Sequence, residues 1–391
     1  MSESPPTTRA SVCQPVQPRA AKRIVFTGDF LRPSGGGMHP TQHENIRWIY
    51  QLLKTPLEMA TGLPTEIVHW DNDWRNGSRL DRGTVEAVYR MMGLRAQIQS
   101  WPWVFSAKTL PASVEDLFLR MFCDSIVVGF ELPPYLVNFL NRHKIGFVDC
   151  SLSPVRFMDD VMFEMSSNIE GITQALKTFA VGEDYIRLQA GIMSSNVAKG
   201  NPNPPMPNSL LVILQTRFDK VVIENKRFVT VMEHLDTLKS VAQDYDHVLI
   251  KEHPLEGQPQ TLERLQRYLP QAQATKDNFY RLVSHKNVAG VAALSSSCVL
   301  EATYFGRKGH YLLPGFTPDT FTVGLEGVHI DDAIICPDFW RDILAGFPCP
   351  VTQKDGLRLP SKANRFRKQL RTAWSFNELD TDIAVQWAAS A

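Results

Sequence analysis

The stretch "NVAKGNPNPPMPNSLLVILQ", Asn196 to Gln215, decides the fold. Its first part, 196–209, is rich in proline and asparagine. Proline removes backbone donors and asparagine favours turns, so neither a helix nor a strand runs through it. Its second part, "SLLVILQ", is a short apolar run closed by a polar residue, the pattern of a strand buried on both faces. The first part therefore reads as a linker, and the apolar run after it as the start of a second unit.

Toward the C-terminus the same pattern recurs in "DHVLIKEHP" (Asp246–Pro254), "VAGVAALSSS" (Val288–Ser297) and "GHYLLPG" (Gly309–Gly315), with helix-like segments between them. Toward the N-terminus it recurs in "KRIVFTGDF" (Lys22–Phe30), "TEIVHW" (Thr65–Trp70), "SIVVGF" (Ser125–Phe130) and "KIGFVDCSL" (Lys144–Leu152), and Gln42–Leu53 reads as a helix. Strands alternating with helices imply parallel sheets. The expectation is an α/β chain of two Rossmann-like domains facing a central cleft. Residues 1–20, rich in Ser, Pro and Thr, read as a disordered leader, 21–195 as the first domain, and 210–360 as the second. Residues 361–391, opening with "SKANRFRKQLRTAWSF", read as a helix returning to the first domain.

Composition narrows the function. Lysine plus arginine equals aspartate plus glutamate, 41 against 41, so no global basic field points to nucleic acid. No apolar run approaches the roughly 18 residues of a membrane span. The six cysteines form no CxxC pair, which argues against a zinc site and for a reducing compartment. Asp71-Asn72-Asp73, Asp244-Tyr245-Asp246 and Asp380-Thr381-Asp382 each match a metal-binding DxD. A pattern that occurs three times in one chain is too cheap to carry a metal, and none is expected.

In open α/β sheets ligands sit beyond the carboxyl ends of the strands. That rule selects the candidates. Lys251, His253 and Pro254 close one strand, with the proline fixing the turn that presents the histidine, which is suited to a phosphate oxygen or simply to a backbone contact. Ser295, Ser296 and Ser297 close another and lead into a helix, where free N–H groups and the helix dipole favour an anion, although a serine cap is also common. Glu301 lies one turn further on, in reach of a ribose. Gln215 closes a third strand, with Asp219 four residues later between Arg217 and Lys220. In the first domain Glu131 follows "SIVVGF", where a carboxylate could take a proton from an acceptor hydroxyl. Arg156 suits a sugar carboxylate as well as an internal pair with Asp159 or Asp160. The loop "SGGGMHPTQHEN" offers His39, Gln42, His43 and Asn45 to an acceptor.

An HP turn followed by a serine cluster and "ExxxxG" resembles CMP-sugar transferases of the two-Rossmann type. "QTRFD", Gln215–Asp219, is similar to the Q, three residues, D motif of bacterial retaining β-Kdo transferases of capsule and O-antigen synthesis, and more distantly to bacterial sialyltransferases. (Kdo is 3-deoxy-D-manno-octulosonic acid, an eight-carbon acidic sugar.) Leu214 stands where that family has glycine. The likeness is strongest over about Ser209 to Pro314; "GFELPP" carries it weakly in the first domain. It implies a GT-B architecture and CMP-Kdo as donor substrate, with no cofactor and no metal. It implies Asp219 as nucleophile, His253 and the serines on the CMP phosphate, and Gln215, Lys251, Pro254 and Glu301 around the donor. Glu131 would serve as acceptor base, with His39, Gln42, Asn45 and Arg156 toward the saccharide. A lipid-linked surface polysaccharide as acceptor, a cytoplasmic location at the inner membrane, and membership of a larger multidomain transferase all follow as expectations. The rivals are an inverting CMP-sialic acid transferase and a nucleotide-binding module with no activity.

Overall fold

A computed structural model describes residues 18–33, 42–69, 80–198, 204–254, 256–317, 323–363 and 365–366. The first half runs β1 (Arg23–Gly28), α1 (Gln42–Thr61), β2 (Thr65–Ile67), α2 (Arg82–Met91), α3 (Trp101–Phe105), α4 (Ala112–Phe122), β3 (Ser125–Phe130), α5 (Pro134–Arg142), β4 (Phe147–Leu152), β5 (Phe163–Ser167), α6 (Glu170–Lys177) and α7 (Glu183–Ala198). The second runs β6 (Ser209–Ile213), β7 (Ile223–Glu224), β8 (Arg227–Phe228), α8 (Leu235–Ala242), β9 (His247–Lys251), α9 (Pro259–Tyr268), β10 (Ala272–Thr275), α10 (Phe279–Ser284), β11 (Val288–Ala293), α11 (Ser297–Tyr304) and β12 (Lys308–Tyr311). β13 (Val328–Ile330) and α12 (Pro337–Leu344) follow.

The first sheet has the order β13-β5-β4-β3-β1-β2. β2, β1, β3 and β4 are parallel neighbours, and β5 and β13 are added antiparallel. The second sheet, β10-β9-β6-β11-β12, is wholly parallel. Numbered along its own half it reads 3-2-1-4-5, the dinucleotide-fold order, whereas β2-β1-β3-β4 reads 2-1-3-4, the flavodoxin-like order. The fold is thus α/β with two Rossmann-like units, as the alternation of apolar runs implies.

Alternate side chains of each strand enter different cores, as a period of two dictates. Ile24, Phe26, Ile126 and Val128 join one cluster, with α1 and α12, while Val25 and Val127 join another with α4 and α5. Leu211 and Ile213 face one side of the second sheet, Leu210 and Val212 the other. Both sheets are covered on both faces, which is why their strands read as continuous apolar runs.

Several boundaries differ from the sequence expectation. α1 runs past Leu53 and through Pro56 to Thr61, because Leu53, Leu57 and Ala60 keep its buried stripe in phase. Residues 196–198, assigned to the linker, are the last turn of α7. α7 itself packs Ile186 and Ala190 into the second unit's core. The return to the first unit begins before Ser361: β13 pairs with β5, and Trp340 and Phe339 of α12 sit in the first core. Phe366 also lies there, its N–H donating to the Asp160 carboxylate at 3.0 Å. Most of the expected leader and of the final helix lies outside the described residues. Among the described residues no helix is long and apolar enough to cross a membrane.

Candidate functional site

In each sheet the strand order reverses between two neighbours, and the crevice beyond their carboxyl ends is where such folds hold ligands. In the second sheet the reversal lies between β6 and β11. Gln215 follows β6 and Ser295 follows β11, and the two are locked together. Ser295 N–H donates to Gln215 Oε1 at 2.9 Å, and Gln215 Nε2 donates to Ser295 Oγ at 3.2 Å. Ser295 Oγ donates in turn to the Val221 carbonyl at 2.6 Å, and the residue is fully buried. These two side chains shape the site from behind.

The HP turn is joined to the same edge. Gln258 Nε2 donates to the Gln215 carbonyl at 2.6 Å, Arg217 N–H donates to Glu256 Oε2 at 2.9 Å, and the Arg217 guanidinium pairs with Glu256. Glu256 N–H donates back to the His253 carbonyl at 3.1 Å, closing the turn. His253 is partly exposed and Pro254 exposed, so the turn opens toward solvent.

Ser296 is the N-cap of α11: its extended backbone turns the chain into the helix, and Cys298 N–H donates to its Oγ at 3.3 Å. Ser297 is the first helical residue, which fixes the register of the serine cluster. Burial pushes the Cys298 thiol up to about 12, reinforced by the Glu301 carboxylate and opposed by the Ser296 hydrogen bond and by the charges of Arg156 and Lys251. Both cations therefore act on the first turn of α11, one from each unit. Glu301 lies deeper. It is 1% exposed, and its Oε1 accepts from Tyr280 O–H at 2.9 Å and from Arg156 N–H at 2.8 Å. That carboxylate ties the loop after β4 to α11 from inside the protein.

In the first sheet the reversal lies between β1 and β3, and here the groups are acidic. Asp29, just after β1, is buried and accepts from Trp101 Nε1–H at 2.8 Å and Tyr135 O–H at 3.1 Å. Burial raises its pKa to about 6, against the opposing charges of Arg32 and Lys220 and those two hydrogen bonds. Asp149 on β4 is also raised to about 6 by burial, and is opposed by Leu132 N–H at 3.0 Å, by Lys220, and by Ser151 O–H at 3.0 Å. Glu131, directly after β3, has φ of 51°, a left-handed conformation that a non-glycine residue adopts at a cost of about 1–3 kcal/mol.

The two reversals face each other across the loop that carries Asp219. Lys220 Nζ lies 3.0 Å from Glu131 Oε2, and both side chains are about one-fifth exposed, at 22% and 19%. Arg32 Nη2 donates to the Phe218 carbonyl at 2.7 Å, and its guanidinium lies over the Trp101 ring at 4.4 Å. Asp219 caps the 3-10 turn 220–222, with Val221 N–H donating to its Oδ1 at 3.4 Å. Asp219 thus stands between two residues held by the first unit.

The structure brings Gln215, Asp219, Glu131, Lys251, His253 and Ser295–Ser297 to the facing strand ends. On the acceptor side Gln42 is buried and donates to the Phe130 carbonyl at 3.1 Å, while His43 Nε2 lies 3.2 Å from the Arg32 carbonyl. Both brace the first unit's strand ends. Asn45, on α1, is partly exposed. His39, Asp71 and Asp73 lie outside the described residues. Asp159 accepts from Gln189 at 3.0 Å and Asp160 from Phe366, while Arg156 lies beside Glu301. Asp29, Arg32 and Lys220 were not singled out by the sequence. The strand-end rule alone points to Asp29; nothing local distinguishes Lys220.

No protein-family model matches the chain, and the comparison with curated proteins finds no match. Among solved structures, Thermosulfurimonas dismutans KpsC, a β-Kdo 2,7-transferase, is similar over 52% of this chain and 71% of its own, at 13% identity and a TM-score of 0.32. The UDP-GlcNAc 2-epimerase of Neisseria meningitidis, solved with UDP-GlcNAc bound, is similar over 82% of this chain and 93% of its own, at 10% identity and a TM-score of 0.23.

Proposed function

We propose that the chain is a glycosyltransferase that moves Kdo from CMP-Kdo to a saccharide of a surface polysaccharide, with retention, through an aspartyl-sugar intermediate. The observation that carries this reading is the pairing of two unlike strand-end crevices across one loop. One offers a capped helix N-terminus with Lys251 acting on its first turn, and the His253 turn at the end of the same sheet, chemistry suited to a nucleotide phosphate. The other offers carboxylates, suited to proton transfer from an acceptor. Asp219 sits on the loop between them.

In this reading Asp219 attacks the anomeric carbon as the bond to the phosphate oxygen breaks, and CMP leaves with that electron pair. His253, Lys251 and the N–H groups around Ser296 and Ser297 stabilise the charge that gathers on the phosphate. An acceptor hydroxyl then gives its proton to Glu131 and displaces Asp219, and two inversions give retention. Arg156, near the first turn of α11, is assigned to the sugar or acceptor carboxylate. The acceptor is taken to be lipid-linked and met at the cytoplasmic face of the inner membrane.

The test is intact-protein mass spectrometry of the wild type with CMP-Kdo and no saccharide, followed by peptide mapping. The expected result is one added sugar on Asp219, with Asp219→Asn binding CMP normally and losing transfer. An unmodified Asp219 together with an Asp219→Asn variant of near-normal activity would overturn the intermediate, and Glu131 as base of an inverting transferase would take its place.

A further inference from the structure

Lys220 has no part in the mechanism above, yet it makes the ion pair that joins the Asp219 loop to the opposite unit. The loop is anchored on its own side through Gln215 to Ser295, through the Val221 carbonyl to Ser295 Oγ, and through the Gln215 carbonyl and Arg217 to Gln258 and Glu256. It is anchored twice on the far side as well, through the Phe218 carbonyl to Arg32 and through Lys220 to Glu131. The two far-side anchors are the immediate neighbours of Asp219. Of these, the Arg32 contact goes to a backbone carbonyl; only the Lys220 contact pairs full charges.

We infer that Lys220 is a positioning residue, whose ammonium pins the Asp219 loop onto the carboxylate end of the first sheet. The groups facing it are Glu131 from the end of β3, Asp149 from β4, and Asp29 from the end of β1, with Arg32 beside Asp29. Trp101, Tyr135 and Tyr89 close the far side of Asp29, the last through Leu31, whose carbonyl accepts from the Tyr89 hydroxyl. An ammonium among these carboxylates gains from all of them, and its loss leaves their charge less compensated. Glu131 holds a left-handed backbone directly after β3, a conformation that is costly for a non-glycine residue and that sits beside the Lys220 ion pair. The pin concerns the protein alone. Its effect on catalysis rests on Asp219 acting as proposed above.

Two readouts separate these parts. The first is amide hydrogen exchange of the full chain, followed at the segment 215–224. Lys220→Gln should speed exchange there about tenfold, since the segment then opens without an interunit ion pair, and Lys220→Arg should restore protection. Glu131→Gln breaks the same pair from the other side and should give the same result. Wild-type protection at 215–224 in both Lys220→Gln and Glu131→Gln overturns the pin. The second readout is CMP release from CMP-Kdo. Lys220→Gln should lower kcat about 100-fold, the size of effect expected when a reacting group is displaced by about 1 Å. CMP affinity should stay within twofold, and Lys220→Arg should recover most of the rate. Equal loss in Lys220→Gln and Lys220→Arg overturns the positioning role. If the wild type releases no CMP from CMP-Kdo, the proposed function fails, and the exchange experiment still decides the pin.

Discussion

The two strand-end crevices are built on the same topological rule and filled with opposite chemistry. Beyond β6 and β11 the chain presents hydroxyls, backbone N–H groups and cations, around a helix capped by Ser296. Beyond β1 and β3, and on β4, it presents Asp29, Glu131 and Asp149, the first and last driven toward neutrality by burial. An anionic nucleotide would be repelled by the second set and held by the first. Under the proposed function the contrast would divide the labour, with one crevice for the leaving group and the other for the proton of the incoming one. It also explains why the charged contact between the units is made by a lysine, a cation placed to face the acidic crevice.

After Asp219→Asn, Glu131→Gln is expected to have the largest effect. Transfer should fall about 10²–10⁴-fold, the range for a positioned acid or base, while CMP affinity measured by calorimetry stays within twofold. A loss of CMP binding instead would mean that the two crevices do not divide the work.

Next is the cost of the buried acids. The folded-state pKa of Asp149, about 6, lies above its ordinary value of 3.8. The folded protein therefore holds this proton more tightly than the unfolded chain. Its contribution is fully present below about pH 4 and is lost as pH rises through 6, on the order of 3 kcal/mol. Asp149→Asn can still accept from Leu132 N–H and carries no charge. Thermal melts from pH 4.5 to 7.5 should show that it stabilises the protein at the alkaline end relative to wild type, flattening the decline. Parallel curves for the two proteins would remove Asp149 from the acidic set.

On the other crevice His253→Ala should weaken CMP binding about tenfold, since a hydrogen bond to a charged group is worth about 1.5–3 kcal/mol. Unchanged affinity would take the HP turn out of the donor site. Ser296→Ala should cost about 1 kcal/mol of stability through the lost cap, read as a small drop in the denaturation midpoint. A variant as stable as wild type would show that the 3.3 Å contact to Cys298 contributes nothing. Finally, EDTA should leave transfer unchanged, because N–H groups, hydroxyls and cations stand where a metal would otherwise hold the phosphate. Activity lost to EDTA and restored by Mg²⁺ or Mn²⁺ would return attention to Asp71 and Asp73.

The sequence carries the parts of this comparison that are local. "SIVVGF" is β3 residue for residue, and "SLLVI" is β6, because strands buried on both faces need an unbroken apolar run. Gln215, Glu131 and the serines follow from the rule that function sits just past such runs. Lys220 cannot be found that way, since its partner is Glu131, on another unit. Asp29 stands in plain view after the first strand, but its significance comes from Trp101 and Tyr135, 72 and 106 residues away. β13 is only Val328–Ile330, too short for a periodic signal, and it is a strand because β5 offers it a free edge. The same holds for Glu301: its position one turn into a helix suggests a ribose, whereas Tyr280 and the Arg156 backbone claim its Oε1 in the interior.

The core shared between the units bears on how this chain could be divided. Val155, Phe157, Met158 and Met162, from the loop between β4 and β5, and Ile186 and Ala190 of α7 lie in one cluster with Leu211, Val291, Val299 and Phe305. A break between Ala198 and Ser209 would not release two autonomous modules. Each fragment would carry away part of a common apolar surface, and the C-terminal one would lose the aromatic contact of Phe157 with Phe305. Co-expressed as separate polypeptides, the fragments would be obligate partners, reassembling through that surface as a heterodimer does, and neither would be a sound vehicle for swapping donor or acceptor preference between proteins of this architecture.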